Sequence, residues 1–108
     1  MEITGTLDAQ NKVDESGNPA GGYAKAVGLT IEWQDGPLGR GAERQAPTGA
    51  FIGDVLAAVI SRLAFFQDSK FACRENAIAL THIETALLWL EKRTADREAR
   101  QVEGTHQA

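Results

Sequence analysis

One long amphipathic segment, residues 71–105, constrains this chain more than any other feature. Its large apolar residues recur at spacings of three and four, which is the pattern of a helix with an apolar stripe. That stripe comprises Leu80, Ile83, Leu87 and Leu90. We expect the helix to end near Gly104, because glycine readily takes the left-handed conformation that closes many helices. A stripe of this kind needs a second element to cover it.

The covering element is predicted immediately upstream, at residues 50–67, where a second apolar stripe repeats at helical spacing. This stripe comprises Ile52, Val55, Leu56, Val59, Leu63 and Phe66. Thr48 is a suitable N-cap for this helix and Ser69 for the next one, since a hydroxyl can accept a hydrogen bond from a free backbone N–H. The short polar link between the stripes therefore predicts an αα-hairpin over residues 50–103, with a tail at 104–108.

The N-terminal part, residues 1–49, is predicted to form a small antiparallel sheet of about three strands. Residues 26–34 alternate apolar and polar side chains, as a strand with one buried face does. Weaker patterns predict strands at residues 2–8 and 42–45, and the glycine- and proline-rich run after the first strand is predicted to be a loop. Asp35-Gly36 predicts a tight turn into the third strand. The fold class is therefore α+β.

The overall charge excludes several classes of partner. The chain has 108 residues and a formal charge of −4 at pH 7, so it has no general attraction for a nucleic-acid polymer or an anionic membrane.

Its length fits a single domain over residues 1–108. A single cysteine, Cys73, forms no intrachain disulfide and favours a reducing compartment. We expect neither a signal peptide nor a membrane span, because no suitable apolar run is present.

A row of arginines lies at the C-terminal end of the long helix, on the same side as Trp89. Arg93, Arg97 and Arg100 lie at steps of four and three, so they share one side of the helix. Planar guanidinium groups bind phosphates through paired hydrogen bonds, and Trp89 lies one turn before the row. Two interpretations remain open from the residues alone: a phosphate site, or a solvated helix end in which Arg93 pairs with Asp96.

A second apolar face on the same helix indicates self-association. It comprises Ile78, His82 and Trp89, about a quarter-turn or more away from the stripe that packs on the first helix. A helix that is apolar on several sides has to be covered on several sides. We therefore expect a second subunit to cover this face through a two-fold contact.

Other candidate residues have weaker support. Arg40 lies between two glycines, which lets a ligand approach the backbone closely, but a mobile surface arginine fits the same pattern. Asn76 interrupts the apolar stripe, where a polar side chain needs a hydrogen-bond partner. His82, His106 and Cys73 do not have the spacing of metal ligands. The sequence contains no P-loop, GxGxxG motif or nucleophile elbow.

Several segments resemble a family of phage proteins, the Thoeris anti-defence sponges. The principal match is FACRENAIALTHIETALLWLEKRTADREARQVEGTH, and the segments IEWQDGPLG, QAPTGAF and RLAFFQ are similar too. The helical hairpin is also similar to that of the anti-CBASS sponges. The resemblance implies a small antiparallel sheet packed on a helical hairpin, assembly as dimers and often hexamers, and neither catalysis nor a cofactor.

The resemblance also implies a function. Such proteins bind cyclic nucleotide signals of bacterial immunity, chiefly glycocyclic ADP-ribose isomers made by TIR-domain proteins, and keep them from their effectors in the cytoplasm of the infected host. Many members bind cyclic di- or trinucleotides at a separate site. Two other functions remain open: an enzyme that cleaves the signal, and a helical-hairpin module that binds another protein.

Position in the matched segments implies which residues contact the ligand: Phe66, Asn76, Arg93, Arg97 and, in the preceding loop, Arg40. Those of the separate cyclic-oligonucleotide site would be Arg100, Thr105 and His106. The residue pattern and the resemblance favour different aromatic residues for the ligand. Periodicity places Phe66 on the apolar stripe and Phe65 off it, so spacing alone favours Phe65, whereas the resemblance implies Phe66. The family also usually has glycine where this chain has Gln101, so the helix end and the tail site can differ here.

Overall fold

A computed structural model describes residues 6–108 and divides them into two compact units. The first unit contains residues 6–51 and 102–108, and the second is Ile52–Gln101. The predicted α+β fold is confirmed, because a three-stranded antiparallel sheet is followed by two long helices. The prediction that the whole chain is a single domain stays a prediction.

The sheet consists of three strands in the order β1-β2-β3. Their bounds are Asp8–Val13, Pro19–Ala26 and Leu29–Glu32. Both neighbouring pairs are antiparallel, and Ala24 on the central strand lies between Ala9 and Ile31. Ala24 is buried, with 9% of its surface exposed.

The first two strands do not lie where the sequence pattern placed them. The strand predicted at residues 2–8 lies partly outside the described residues, and within them β1 starts at Asp8. The run predicted to be a loop instead supplies β1 after its first residue and the first half of β2. Every residue of β1 is exposed, so this strand has no buried face and shows no alternation of apolar and polar side chains.

β3 is shorter than the strand predicted at residues 26–34, because the chain turns at Val27 and Gly28. Val27 is 98% exposed, and Gly28 has a φ of 77°. A positive φ at glycine permits the two-residue turn that joins β2 to β3. Val27 and Gly28, near the start of the strand predicted at residues 26–34, therefore form a turn in which Val27 faces solvent.

The third strand predicted at residues 42–45 is wrong. Gly41–Glu43 forms a short 3-10 helix instead, since glycines and a proline on either side interrupt any ladder. In the described chain no paired strand follows the Asp35-Gly36 turn. The chain returns to the sheet only at Ala50.

The return at Ala50 forms a parallel bridge with Trp33. Gln34 holds it in place, because its side-chain oxygen accepts hydrogen bonds from the backbone N–H groups of Thr48 and Gly49, at 2.7 and 3.2 Å. The backbone of Thr48 thus takes part in this contact with Gln34, and Thr48 is not the N-cap of the first helix. A Cβ at Gly49 would lie 2.6 Å from the carbonyl of Trp33, so the close approach requires glycine.

The helical hairpin consists of α1, Ile52–Gln67, and α2, Arg74–Ala99. The predicted stripe of α2 is half-buried along its whole length. Leu87 in that stripe faces α1, because its Cδ1 lies 3.5 Å from the position of a Cβ on Gly53. α1 has 16 residues and α2 has 26, so the C-terminal part of α2 extends beyond the start of α1.

Both ends of α2 differ from the prediction. Its N-cap position is Cys73, while Ser69 lies in the link, where its hydroxyl donates to the carbonyl of Phe66 in α1 and accepts from the N–H of Phe71. At the other end Arg100 is the C-cap, and the next residue, Gln101, has a φ of 59°. The helix therefore closes three residues before Gly104, on a residue other than glycine.

Few side chains are well buried in this chain. Among residues 6–108, Ala24 and Arg97 are the buried ones, and no side chain is fully enclosed. Large apolar side chains are exposed instead, with Phe65 at 60%, Leu88 at 64% and Trp89 at 66%. The apolar faces of the hairpin are thus only partly covered within one chain.

Candidate functional site

Arg93 presents an unengaged guanidinium near the C-terminal end of α2. It is exposed and forms no hydrogen bond or ion pair with any residue from 6 to 108. Asp96, the partner expected for a solvated helix end, pairs with Lys92 at 2.9 Å instead. The five N–H donors of Arg93 therefore remain available, as a phosphate site requires.

Arg97 differs from Arg93 in its exposure. Only 8% of its surface is exposed, and it has interactions of its own in the structure. A buried guanidinium needs such partners, because desolvating a charge is costly. Arg97 lies one turn after Arg93, so its positive charge adds to the potential that a phosphate at Arg93 experiences.

Phe66 and Asn76 lie at the opposite end of the hairpin, where α1 passes into α2. Phe66 is in the last turn of α1, Asn76 is in the first turn of α2, and both are half-buried. Gln67 fixes the link between them, because its side-chain amide both donates to and accepts from the backbone of Cys73, each at 3.1 Å. This role of Gln67 has no signal in the sequence beyond a polar residue in a turn.

The ring of Phe66 has two neighbours at this end of the hairpin, Phe65 and Arg62. Phe65 packs against it edge-to-face, with ring centroids 5.9 Å apart and an interplanar angle of 75°. The guanidinium carbon of Arg62 lies 5.1 Å from each of the two ring centroids. Phe65, which the spacing favours, and Phe66, which the resemblance implies, thus belong to one cluster with Arg62.

The two groups of predicted ligand residues are far apart within one chain. Asn76 and Arg93 are separated by most of α2, which at about 1.5 Å per residue places them about 25 Å apart along the helix axis. A dinucleotide-sized ligand does not span that distance. One chain therefore places Phe66 and Asn76 at one end of α2, and Arg93 and Arg97 at the other, without joining the two pairs.

The second apolar face of α2 lies between these two groups. Ile78 is 39% exposed and Trp89 is 66% exposed, and His82, between them on the same side of the helix, is exposed as well. Such an array of exposed large side chains on one helix is typical of an interaction surface.

Arg40 is engaged with the C-terminal tail. Its Nη1 donates to the carbonyl oxygen of Glu103 at 2.9 Å, and the carboxylate of Glu103 accepts from both terminal nitrogens of Arg44, at 2.8 and 3.1 Å. The backbone N–H of Gly39 also donates to the carbonyl of Gly104 at 2.8 Å. Arg44 and Glu103 escaped prediction, because no local pattern marks a contact between residues so far apart in sequence.

The residues predicted for a separate tail site are divided between the two units. Arg100 belongs to the second unit as the C-cap of α2. Thr105 and His106 belong to the first unit. The hydroxyl of Thr105 donates to the carbonyl of Val102 and accepts from the N–H of Gln107, and His106 is exposed.

Residues 6–108 contain no cluster of three or more His, Cys, Asp or Glu side chains that could hold a metal ion. Cys73 is exposed and is not part of a disulfide. No helix in the described part of the chain is both long and apolar enough to cross a membrane.

Two comparisons relate the chain to known proteins. A family model described as Acb2/Tad1, hairpin domain, matches residues 25–95. A curated relative, Thoeris anti-defense 1 of Bacillus phage SBSphiJ7, is 50% identical over 78 residues, which make up 72% of this chain and 52% of that protein. The chain thus spans about half the length of this relative.

Proposed function

The chain belongs to the Acb2/Tad1 hairpin family, and from that premise we propose that it binds and sequesters cyclic nucleotide immune signals without degrading them. The ligands are glycocyclic ADP-ribose isomers made by TIR-domain proteins, and the protein acts as a phage anti-defence factor in the cytoplasm of the infected host. The name of its phage relative supports the anti-defence role.

The observation that carries this proposal is the unengaged guanidinium of Arg93. An exposed arginine that pairs with none of the described residues, on a chain with a formal charge of −4, supports a local site for an anion. A glycocyclic ADP-ribose offers two phosphates, and charge-assisted hydrogen bonds from Arg93 would hold one of them. Arg97 adds its charge from a buried position.

The other end of the hairpin suits the rest of such a ligand. A nucleobase stacked on the ring of Phe66 would gain about 1–3 kcal/mol. The amide of Asn76 would bond a base edge or a ribose hydroxyl. Arg40, on the loop that holds the tail, is a further candidate for the same ligand.

Two copies of the chain are needed to bring these groups together. Asn76 and Arg93 are about 25 Å apart on one helix, but the Asn76 of one subunit comes to the level of the Arg93 of the other if the α2 helices of two subunits pack antiparallel about a two-fold axis near the middle of α2. Such an axis passes through the face formed by Ile78, His82 and Trp89. One contact would thus cover the exposed apolar face and complete two ligand sites.

A separate site for cyclic di- or trinucleotides would involve Arg100, Thr105 and His106 in a larger assembly such as a hexamer. Native mass spectrometry with a panel of cyclic nucleotides would give both the stoichiometry of the assembly and the ligand preference.

Recovery of the ligand tests sequestration directly. The protein is incubated with a TIR-made glycocyclic ADP-ribose, separated from free ligand, and then denatured by heat. We expect intact ligand in the supernatant, and none from the variant Arg93→Ala, whose assembly should be unchanged because Arg93 is not one of the residues of the proposed pairing face, Ile78, His82 and Trp89. A cleaved product would favour the enzyme, and no retention of any cyclic nucleotide would contradict the proposal.

A further inference from the structure

The guanidinium of Arg62 is placed where a nucleobase would have to meet it. Its carbon lies over the ring of Phe66 and over the ring of Phe65, 5.1 Å from each centroid. Arg62 is exposed and forms no hydrogen bond or ion pair with any described residue. Its position is therefore set by the two rings alone, and its N–H donors remain available.

A base that stacks on the face of Phe66 nearest Arg62 would come between the ring and the guanidinium. Stacked rings have centroids about 4.5–7 Å apart, which is the distance at which Arg62 already lies. A guanidinium is planar and stacks on bases as readily as on aromatic side chains. A ligand that stacks on this face of Phe66 would contact Arg62, either against its flat face or through its N–H groups.

We propose that Arg62 is a further ligand-binding residue, one that stacks on the nucleobase received by Phe66 and donates hydrogen bonds to the attached phosphate. This inference rests on the proposed function, because it takes Phe66 to be the stacking ring. It adds a cation at the end of the hairpin where Asn76 is the only polar ligand residue so far assigned. The ligand would then be held by arginines at both of its ends.

A purely structural role for Arg62 makes a different prediction. If Arg62 only steadied the rings of Phe65 and Phe66, any cation in its place would serve, since the attraction of a cation for a ring does not require a planar group. Stacking on a base together with bidentate binding of phosphate does require the guanidinium. The variants Arg62→Lys and Arg62→Met separate the two roles.

The experiment measures the affinity for a glycocyclic ADP-ribose by isothermal titration calorimetry. We expect Arg62→Met to lose affinity by about tenfold or more, the effect of a lost charge-assisted hydrogen bond, and Arg62→Lys to recover only part of it. The matched control is Lys70→Met, because Lys70 lies over the ring of Phe71 at 5.3 Å, a ring that the proposal does not assign to the ligand. Its affinity should stay within about twofold of the unmodified protein.

Two results would overturn the inference. Affinity for Arg62→Met within twofold of the unmodified protein, while Phe66→Leu loses binding, would remove Arg62 from the site and leave the proposed function intact. Full recovery by Arg62→Lys would assign it the structural role. If the unmodified protein bound no cyclic nucleotide, the proposed function itself would fail, and this inference with it.

Discussion

The guanidinium of Arg44 binds both carboxylate oxygens of Glu103, with Nη1 2.8 Å from Oε2 and Nη2 3.1 Å from Oε1. This paired contact fastens the C-terminal tail to the loop that carries Arg40. Arg40 adds a hydrogen bond to the carbonyl of the same glutamate. The tail is thus held by hydrogen bonds from Arg40, Arg44 and the backbone of Gly39.

Replacement of Arg44 by lysine should loosen the tail. Lysine keeps the charge but loses the paired geometry, so we expect faster amide exchange at residues 102–108, with a cost of about 1 kcal/mol or less because the pair is partly exposed. Hydrogen–deuterium exchange measures it. Lys92→Gln is the control, since Lys92 and Asp96 form a single-contact pair with both side chains more than half exposed. Equal exchange in Arg44→Lys and the unmodified protein would contradict the role of the pair.

Gly49→Ala should destabilise the chain where it crosses β3. The added Cβ would lie 2.6 Å from the carbonyl of Trp33, and backbone cannot yield as a flexible side chain can, so we expect a loss of about 1–3 kcal/mol. Gly53→Ala is the matched control. Its Cβ would meet Leu87 at an ordinary 3.5 Å, and a helical alanine should add about 0.5–1 kcal/mol. Urea denaturation with opposite signs for the two variants confirms the prediction.

Gln101→Gly should stabilise the end of α2. Gln101 has a φ of 59°, a left-handed conformation that costs a residue with a Cβ about 1 kcal/mol. Glycine removes that cost, offset by its greater freedom in the unfolded chain, so the expected net gain is about 0.5 kcal/mol in the free energy of unfolding. Gln101→Ala, which keeps the Cβ, should change little. A destabilised glycine variant would show that the side chain of Gln101 has its own stabilising contacts.

Asp14 should give the β1–β2 turn a dependence on pH. Hydrogen bonds from the backbone N–H of Asn18 chiefly, and from Ser16, lower the pKa of the Asp14 carboxyl below its usual 3.8. The stabilisation is therefore fully present above pH 3.8 and is lost as the pH falls through the lowered pKa. NMR titration of the two amides should report this transition. Asp14→Asn should abolish it, and Glu15→Gln should not; an unchanged profile in Asp14→Asn would exclude the carboxyl.

Mixing two inactive variants should restore ligand binding if two copies build each site. Asn76→Ala and Arg93→Ala should each bind weakly alone, because every site in their assemblies lacks one residue. After subunit exchange, mixed dimers would contain one intact site each, so about a quarter of all sites should recover. Titration calorimetry on the mixture measures this fraction. Failure to recover, with mixed dimers demonstrated, would place Asn76 and Arg93 in different sites.

The helical part of the fold was predictable because its signal is local. Leu80, Ile83 and Leu87 repeat at helical spacing and are half-buried in the structure, so periodicity alone identified the packed side of α2. The ends of the helices were less predictable. The choice of Cys73 and Gln101 as the flanking residues depends on the path of the link and the tail, which no short pattern encodes.

The sheet was less predictable, for a physical reason. β1 is exposed along its length, so selection for one apolar face is absent and the backbone ladder alone defines the strand. The contacts that hold this unit together, Gln34 with Gly49 and Arg44 with Glu103, join positions far apart in sequence. In the candidate site, the sequence identified Arg93 because arginine is a residue type that binds phosphate. Which cation pairs with Asp96 depends on side-chain geometry, and in the structure it is Lys92.

The scarcity of buried side chains affects how the capacity to capture ligand depends on protein concentration. With no side chain fully enclosed among residues 6–108, much of the apolar burial that stabilises this protein would be gained on pairing, so folding and assembly are governed by mass action together. If each ligand site is shared by two chains, capture capacity rises with the square of protein concentration while chains are mostly single, and linearly once they are paired. Such a sponge would have little capacity below a threshold abundance and nearly its full capacity above it.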